Sequence, residues 1–400
     1  MEDLSPRPAP PAAPTVWRAL FGRRYIAGRR FTLSHAVAHR AIDLAAEVLW
    51  RRPRRPLPPD DTLRQIVVAK PDHIGDLLMA TPFLAALKAG RPDVPVLLLV
   101  GRWNRGCAEL LQQCGLCDEV EYLDLPFLSG KPDAARLRLF LADVRRLRAR
   151  LRRGGPAAFV DLRPYAPNTL FLAALAGKAV GWRIGFGTRG FSRLLDGEIP
   201  YERAVPMGQQ ILGALPLLGL PEPGPYRGPV LPGFPEAFDL ARFGLAPGGY
   251  ILLHMESREQ AREVPSAVWR DLLESVLRAG TGGRTFVLVG KAEGENGRQA
   301  LAFLAERGVP ALSLAGKTGF ADLFHLARGA AGTVCIDSLG SHLSLTFRRP
   351  TLVLMRAGIS EYGSFPAPGP DLPLFFTPTG PGQEAERALD ARRFALSLAA

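Results

Sequence analysis

From residue 65 the chain runs Gln65-Ile66-Val67-Val68-Ala69-Lys70-Pro71-Asp72-His73-Ile74-Gly75-Asp76. Its first five residues are rich in β-branched side chains, which predicts a strand. The polar turn that follows leads into a segment with helical periodicity from Asp76 to Lys88. A strand that passes through a turn into a helix is the unit from which parallel sheets are built, so this stretch predicts an α/β protein.

The same unit recurs to the end of the chain. In the first half we predict further strands at 96–100, 119–123 and 158–161, and helices at 105–113, 132–153, 168–176 and 208–218. In the second half we predict strands at 250–253, 285–289, 311–314, 333–336 and 351–355, and helices at 266–278, 295–307, 320–330, 341–347 and 384–398. This alternation predicts two doubly wound Rossmann-like domains that face each other across a crevice.

A proline-rich stretch separates the two halves. Six prolines lie between Leu220 and Phe238, and proline is excluded from the interior of helices and central strands. We therefore predict a basic Pro/Arg-rich N-terminal segment with an amphipathic helix (1–60), a first Rossmann-like domain (61–220), a linker (221–240), a second Rossmann-like domain (241–382) and a C-terminal helix (383–400).

The composition excludes several classes of protein. With 47% apolar residues the chain can build a core in each domain, which excludes wholesale disorder. Four cysteines are too few for a disulfide framework, and Cys114-x-x-Cys117 has neither a second pair nor a nearby histidine for zinc. No apolar stretch reaches the ~20 residues that span a bilayer, and the first residues lack the apolar core of a signal peptide. We expect a cytoplasmic protein without a metal site.

Half of the net charge of +12 lies in the first 60 residues, where eleven arginines oppose five acids. Between Ser34 and Trp50 apolar side chains recur at helical spacing. A basic amphipathic helix would bind an anionic membrane surface, or it would dock on the folded body with its arginines in solvent. Both interpretations remain open. Because no groove-reading motif accompanies the charge, we expect no nucleic-acid partner.

Ligands of open α/β sheets bind outside the carboxyl ends of the strands, so polar residues that follow strands are the candidates for chemistry. The turn at 337–342 is rich in small hydroxyl residues and would offer helix N–H groups to a diphosphate. Arg258 and Arg262 would neutralise charge on a phosphate leaving group. Glu295 would accept hydrogen bonds from a ribose diol, and Asp76 would act as a general base towards a hydroxyl.

Each of these residues also has a purely structural explanation. Asp337 or Ser338 would simply cap a helix, His342 would be a packed core histidine, and the arginines would lie in a solvated loop. Glu295 and Asp76 would be ordinary first-turn helix acids. The turns contain no GxGxxG, P-loop or DxD-like motif, which counts against dinucleotide redox, NTPase and metal-dependent chemistry.

Four motifs of the sequence occur in a fixed order. They are Asp72-His73-Ile74-Gly75-Asp76-Leu77-Leu78-Met79-Ala80-Thr81-Pro82, the stretch from Leu252-Leu253-His254 to Val264-Pro265, Leu314-Ala315-Gly316-Lys317-Thr318, and Asp337-Ser338-x-x-x-His342-Leu343. Taken together they resemble the motifs of glycosyltransferase family 9, the ADP-heptose:lipopolysaccharide heptosyltransferases, and the resemblance covers roughly residues 64–365. It implies a GT-B fold with an acceptor-binding first domain and a donor-binding second domain, and an inverting transfer that needs no metal.

The resemblance implies roles for individual residues. Asp76 would deprotonate the acceptor hydroxyl, and Arg262 occupies the position of a lysine in the family. The implied donor-binding residues are His254, Ser257, Arg258, Glu295 at the ribose, Thr318 beside the adenine, Asp337, Ser338, Leu339 and Gly340 at the diphosphate, and His342 beside them. Two further positions differ from the family. Glu256 replaces a small hydroxyl residue and must point away from a diphosphate, and the glycine of the Asp-Ser/Thr-Gly motif stands one place later, at Gly340.

The expected activity is therefore the transfer of a heptose from ADP-heptose to a lipopolysaccharide-core or related glycolipid acceptor. We expect the enzyme to work at the inner face of the inner membrane, bound to an anionic lipid surface, with no cofactor besides the nucleotide-sugar donor. Three alternatives remain: a catalytically inactive GT-B protein that binds a glycolipid or a partner, a GT-B enzyme that uses another nucleotide sugar, and a sugar-nucleotide epimerase.

Overall fold

A computed structural model describes residues 63–123, 134–164, 180–188, 192–202, 205–236, 238–256, 263–355, 363, 365–369 and 371–398, together with Ala41 and Leu44. The predicted amphipathic helix of the N-terminal segment therefore lies outside the described residues, apart from these two. The predicted helix at 168–176 lies outside them as well.

The contacts divide the chain into two compact units. The first unit consists of Met1–His73, Pro82–Ala108 and Gly115–Tyr226. The second unit consists of Ile74–Thr81, Glu109–Cys114 and Arg227–Ala400. The short helix that carries Asp76 is thus grouped by its contacts with the second unit, although it follows the first strand of the first sheet.

The first unit is built on a six-stranded parallel sheet in the order β3-β2-β1-β4-β5-β6. Because β1 lies next to both β2 and β4, the chain winds outward from the centre in two directions, which is the doubly wound arrangement. The strands are β1 (Gln65–Ala69), β2 (Val96–Gly101), β3 (Glu119–Leu123), β4 (Ala157–Asp161), β5 (Val180–Gly185) and β6 (Gly197–Glu198).

The second unit contains a second parallel sheet in the order β12-β11-β10-β7-β8-β9. Its centre is the pair β7 and β10, so the point at which the winding direction changes lies between these two strands. The strands are β7 (Tyr250–His254), β8 (Thr285–Val289), β9 (Ala311–Ser313), β10 (Gly332–Ile336), β11 (Thr351–Met355) and β12 (Leu374–Pro378).

Helices connect the strands of both sheets, so the predicted fold class, two doubly wound α/β domains, is confirmed. In the part of the chain that the structure describes, every helix is too short or too polar to span a lipid bilayer. The α-helices are α1 (Ile74–Met79), α2 (Thr81–Gly90), α3 (Arg105–Gln113), α4 (Ala134–Gly154), α5 (Met207–Leu212), α6 (Ser266–Ala279), α7 (Gly294–Glu306), α8 (Phe320–Gly329), α9 (Leu339–Thr346) and α10 (Glu384–Ser397).

The central strands are buried on both faces, and this explains their continuous apolar sequences. Every residue of β1, β4, β7, β10 and β11 is buried, as parallel strands covered by helices on both sides require. The helices pack with one face only. In α6, Trp269, Leu272, Leu273 and Val276 are buried at helical spacing, and the helix ends at Gly280, whose φ of 99° suits glycine.

The structure differs from the sequence expectation at two helices and three strands. The helix predicted from Asp76 to Lys88 is divided into α1 and α2 because Pro82 lacks an N–H and disfavours helical geometry before it. The helix predicted at 208–218 ends at Leu212, and Pro216 begins a separate 3₁₀ turn. Strands β5, β6 and β12 were not predicted. The first two carry glycine and charge, and the apolar run of β12 is only three residues long and is enclosed by prolines.

A buried ion cluster fills the point between β1 and β4 where the first sheet changes winding direction. The Asp72 carboxylate accepts hydrogen bonds from Lys70 Nζ at 2.7 Å and from Arg163 Nε at 2.6 Å. The backbone carbonyl of Asp72 accepts two more, from Trp103 Nε1 at 2.9 Å and Asn104 Nδ2 at 2.7 Å. All three charged side chains are at least nine-tenths buried, so each cation depends on the carboxylate between them.

Asp72→Asn tests this dependence. Asparagine has nearly the same shape but no charge, so Lys70 and Arg163 remain buried without a counter-ion, and the free energy of unfolding should fall by about 3–5 kcal/mol. Urea denaturation measures the loss. The control is Asp93→Asn at an exposed position of the same unit, which should change stability by less than about 0.5 kcal/mol. Equal effects of the two substitutions would contradict the dependence.

Candidate functional site

The carboxyl ends of β7 and β10 meet at the centre of the second sheet. Cys335 of β10 lies beside His254 of β7 in the register of the two strands. The chain then turns through Asp337 and Ser338 into α9, which begins at Leu339. A helix that starts directly after a central strand directs its first N–H groups and the positive end of its dipole towards this edge of the sheet.

A side-chain contact joins the two strand ends. Ser338 Oγ lies 3.0 Å from His254 Nδ1 and 3.3 Å from the carbonyl oxygen of Ile336. Ser338 occupies the N-cap position of α9, yet its side chain forms no hydrogen bond with the first turn of that helix. The expected capping role of Ser338 is thus replaced by a contact with His254.

His254 is a buried, neutral imidazole. Burial lowers its pKa below the ordinary 6.5, and the charge of Glu256 opposes this effect. A neutral ring carries one N–H and one free ring nitrogen, so either Ser338 or His254 is the donor of their shared hydrogen bond, depending on the tautomer.

The backbone of Gly340 lies directly against His254. A Cβ atom at residue 340 would be 2.5 Å from the Cβ and 2.7 Å from the Cγ of His254, closer than real Cβ atoms approach. The glycine that stands one place later than in the family motif is therefore required by the packing of α9 on the end of β7.

His342 lies one turn further along α9 and is buried. Its ring stacks on Phe365 with a centroid distance of 5.5 Å and an interplanar angle of 14°. A Cβ atom at Gly75 would lie 2.7 Å from Cδ2 of His342, so the start of α1 is closely packed against this histidine within the second unit. Asp76 follows Gly75 in the first turn of α1 and is partly buried.

Glu256, two residues after β7, is bound to the turn between β8 and α7. Its carboxylate accepts hydrogen bonds from the backbone N–H of Lys291 at 2.8 Å and of Ala292 at 3.0 Å. A Cβ at Gly290, whose φ is 152°, would lie 2.6 Å from the carboxylate, so this turn requires glycine. The negative charge of Glu256 is therefore held by main-chain donors.

Glu295 lies on the exposed side of α7. Its side chain is 66% exposed and accepts hydrogen bonds from Arg298 and Gln299 of the same helix, and the bonds from Gln299 and Arg298 lower its pKa. Glu293, which the sequence analysis did not single out, lies at the N-cap position of α7 and accepts a hydrogen bond from Ser313 Oγ at 2.7 Å. Its place in the turn between a predicted strand and a predicted helix was the available signal.

Thr318 lies in the turn after β9. Its hydroxyl oxygen is inaccessible to solvent and has no hydrogen-bond partner among the described residues. The same turn is joined to the turn after β8, because Gly316 N donates to the carbonyl oxygen of Gly290 at 2.9 Å. The residues after β8 and β9 thus form one connected edge.

The remaining predicted site residues lie outside the described residues. They are Ser257, Arg258 and Arg262, all in the segment between β7 and α6. Within the described ranges, no group of three or more His, Cys, Asp or Glu side chains is arranged to hold a metal ion.

Comparison with known proteins finds a family model that matches the middle and later part of the chain. The model of glycosyltransferase family 9 (heptosyltransferase) matches residues 170–360, just under half of the chain. This range includes the turns after β7, β8, β9 and β10 and begins after Asp76. The match confirms the resemblance that the sequence motifs predict. No curated protein matches the chain.

Solved structures similar to this chain share its fold over most of its length. The E. coli ADP-heptose lipopolysaccharide heptosyltransferase II is 18% identical, with 84% of this chain and 100% of that chain covered and a TM-score of 0.60. A glycosyltransferase family 9 protein from Veillonella parvula is 15% identical, with 83% and 97% covered and a TM-score of 0.62. The E. coli heptosyltransferase WaaC with ADP is 16% identical, with 84% and 99% covered and a TM-score of 0.59. These similarities confirm the GT-B fold.

The lowered pKa of His254 makes stability depend on pH. Between the folded pKa and the unfolded value of 6.5, the unfolded chain binds a proton that the folded chain does not. The contribution of His254 is therefore complete above about pH 6.5 and is lost as the pH falls below it. We expect the free energy of unfolding, measured with urea, to fall between about pH 7.5 and about pH 5.5. This fall should be smaller in His254→Gln than in the unsubstituted protein. Equal losses, or an NMR titration of His254 at its ordinary pKa, would contradict this assignment.

Proposed function

We propose that this chain, a glycosyltransferase with a family 9 domain over residues 170–360, transfers a heptose from ADP-heptose to a lipopolysaccharide-core or related glycolipid acceptor. The transfer inverts the anomeric centre and uses no metal. The observation that carries the proposal is the turn from β10 into α9, where the Ser338 side chain contacts His254 and does not cap the helix. The first-turn N–H groups of α9 are the donors that this proposal assigns to a diphosphate.

The donor would bind along the carboxyl edge of the second sheet. Asp337, Ser338 and the backbone of Leu339 and Gly340 would hold the diphosphate, with His342 beside them. The ribose would bind at Glu295 and the adenine beside Thr318. Two observations support this arrangement. The Glu256 carboxylate is bound to the turn after β8 by two main-chain N–H donors, which fix its position although its charge remains. The Thr318 hydroxyl oxygen is buried without a described partner.

The family comparison supports the choice of donor. The E. coli heptosyltransferase WaaC, which shares the fold, was solved with ADP and with ADP-2-deoxy-2-fluoro heptose. His254, Ser257 and Arg258 complete the proposed donor site at the end of β7. Ser257 and Arg258 rest on the sequence alone, because they lie outside the described residues.

Asp76 would act as the general base. The acceptor hydroxyl attacks the anomeric carbon while Asp76 takes its proton, and the bond from that carbon to the diphosphate oxygen breaks. A single displacement of this kind inverts the configuration at the anomeric carbon. The nucleoside diphosphate leaves with the bonding electrons, and Arg262 would stabilise the charge that develops on it. Asp72 is unsuited to the same role, because Lys70 and Arg163 already bind its carboxylate.

The acceptor would bind the domain at 61–220 and the donor the domain at 241–382, with the linker at 221–240 between them. The enzyme would work at the inner face of the inner membrane, where its glycolipid acceptor is anchored. The basic N-terminal segment, with a net charge of +6, would contribute to binding an anionic lipid surface.

Asp337→Ala tests the donor site. The substitution removes a buried carboxylate from the start of the turn into α9. A carboxylate cannot donate to a diphosphate, so Asp337 would act by holding this turn in place, and ADP affinity measured by calorimetry should fall by about tenfold when that support is lost. The control is Asp371→Ala, which removes a 90% exposed carboxylate of the same unit and should leave ADP affinity unchanged. Unchanged affinity in Asp337→Ala, or protection of β1 to β3 from hydrogen exchange by ADP, would overturn the site.

Asp76→Asn tests the general base. Asparagine keeps the shape but cannot accept the proton, so single-turnover transfer should fall by the ~10²–10⁴-fold typical of such groups, with ADP affinity unchanged. If Asp76 is only a first-turn helix acid, the substitution costs ~0.3–1 kcal/mol of stability and leaves turnover per folded molecule intact. The matched control is Asp322→Asn, a first-turn acid of α8 outside the proposed site, which should retain full turnover.

A further inference from the structure

The net positive charge of the protein comes from two segments. The net charge is +12 in all, and residues 1–60 carry +6 of it. Helix α4 contains eight arginines and a single acid, Asp143, and so carries +7. All the other residues together therefore carry a net charge of −1. Outside the N-terminal segment, the positive charge of the chain is concentrated on one helix of 21 residues.

One face of α4 is fixed to the first sheet. Val144, Leu147 and Leu151 are buried in the core formed with β1 to β5. Arg146 and Arg150 bind Glu121 on the edge strand β3, at 3.3 Å and 2.9 Å. The side chains of this face thus have their partners within the first unit.

A second face of α4, next to the buried one, combines exposed leucines with exposed arginines. Leu137 and Leu141 are 45% and 42% exposed, although large apolar side chains are normally withdrawn from water. Leu139 is 50% exposed but lies on another side of the helix, two residues from Leu137. Leu137 and Leu141 are one helical turn apart and therefore neighbours on the surface. Adjacent exposed leucines beside arginines are typical of a helix face that lies at the interface between water and an apolar phase.

Three arginines accompany these leucines at intervals of seven residues. Arg138, Arg145 and Arg152 are exposed and lie on one side of the helix, because seven residues make about two turns. Within the described part of the chain none of them forms an ion pair, in contrast to Arg146 and Arg150. Their charge is therefore available to a partner.

We propose that the outer face of α4, formed by Leu137, Leu141, Arg138, Arg145 and Arg152, binds the surface of an anionic lipid bilayer. Anionic lipid headgroups supply counter-ions for these arginines, and the leucines can enter the boundary between headgroups and acyl chains. Arginine suits this position because its aliphatic stem packs beside apolar groups while the guanidinium reaches the phosphates. The proposal concerns lipid binding alone and does not rest on the proposed transfer reaction.

Charge decides between this partner and another segment of the same chain. The N-terminal segment is itself basic, so it would be repelled by α4 instead of covering it. A nucleic acid would satisfy the arginines but would leave the leucines in water. A bilayer of anionic lipid satisfies both kinds of side chain, and the two basic segments would then act together on one surface.

The test is co-sedimentation of the full-length protein with vesicles of phosphatidylcholine mixed with phosphatidylglycerol, and with vesicles of phosphatidylcholine alone. The triple variant R138Q/R145Q/R152Q should bind the anionic vesicles about 100-fold more weakly, because each arginine near such a surface contributes about 1 kcal/mol. Glutamine preserves the helix. The variant L137Q/L141Q should also bind more weakly, and its remaining binding should be more sensitive to salt.

The control variant R270Q/R278Q/R392Q removes the same charge from exposed positions on α6 and α10 and should bind as the unsubstituted protein does. Circular dichroism and thermal unfolding check that every variant is folded. The proposal is overturned if the α4 variant and the control bind equally, if neutral vesicles bind as well as anionic ones, or if removal of residues 1–60 abolishes binding completely while the α4 variant retains it.

Discussion

The contact between the Ser338 hydroxyl and the His254 imidazole connects the ends of the two central strands of the second sheet. It forms because Gly340 has no side chain, so α9 packs directly on the end of β7. With the serine bound to the histidine, the first turn of α9 is not capped by its own N-cap side chain. The start of this helix, where the diphosphate site is proposed, therefore lies against a buried histidine whose pKa is lowered by burial.

The two sheets have the same strand order but differ in what lies at the point where the winding changes direction. In the first sheet this point is filled by Lys70, Asp72 and Arg163, which bind one another and are almost completely buried. In the second sheet the corresponding point holds His254, Ser338 and the start of a helix. Ligands of doubly wound sheets bind at such points, so the physical difference favours the second sheet as the donor site.

Positive charge is unevenly distributed along the chain. Five arginines of α4 fall into two sets. Arg146 and Arg150 pair with glutamates of β3, whereas the three on the outer face form no ion pair with a described residue. The first set stabilises an edge strand, which would otherwise expose its hydrogen-bonding groups. The second set lies beside exposed leucines, and only a partner that is both anionic and apolar matches this combination.

The sequence determined the fold class and the positions of most strands, because parallel strands buried on both faces require continuous apolar runs. β5 and β12 escaped prediction, since VGWRIG and LFFTP owe their strand structure to neighbouring strands and not to their own pattern. The motif that follows β10 could also be recognised in the sequence. The same is true of the position of Asp76 in the first turn of a helix.

Only the tertiary structure decided how these motifs are used. The carboxylate of Glu256 binds a turn 35 residues away, and Ser338 binds a histidine 84 residues away. No local pattern encodes such contacts, because they depend on which strands become neighbours in the sheet. The sequence shows which residues follow each strand, whereas the order of the strands determines which of those residues meet.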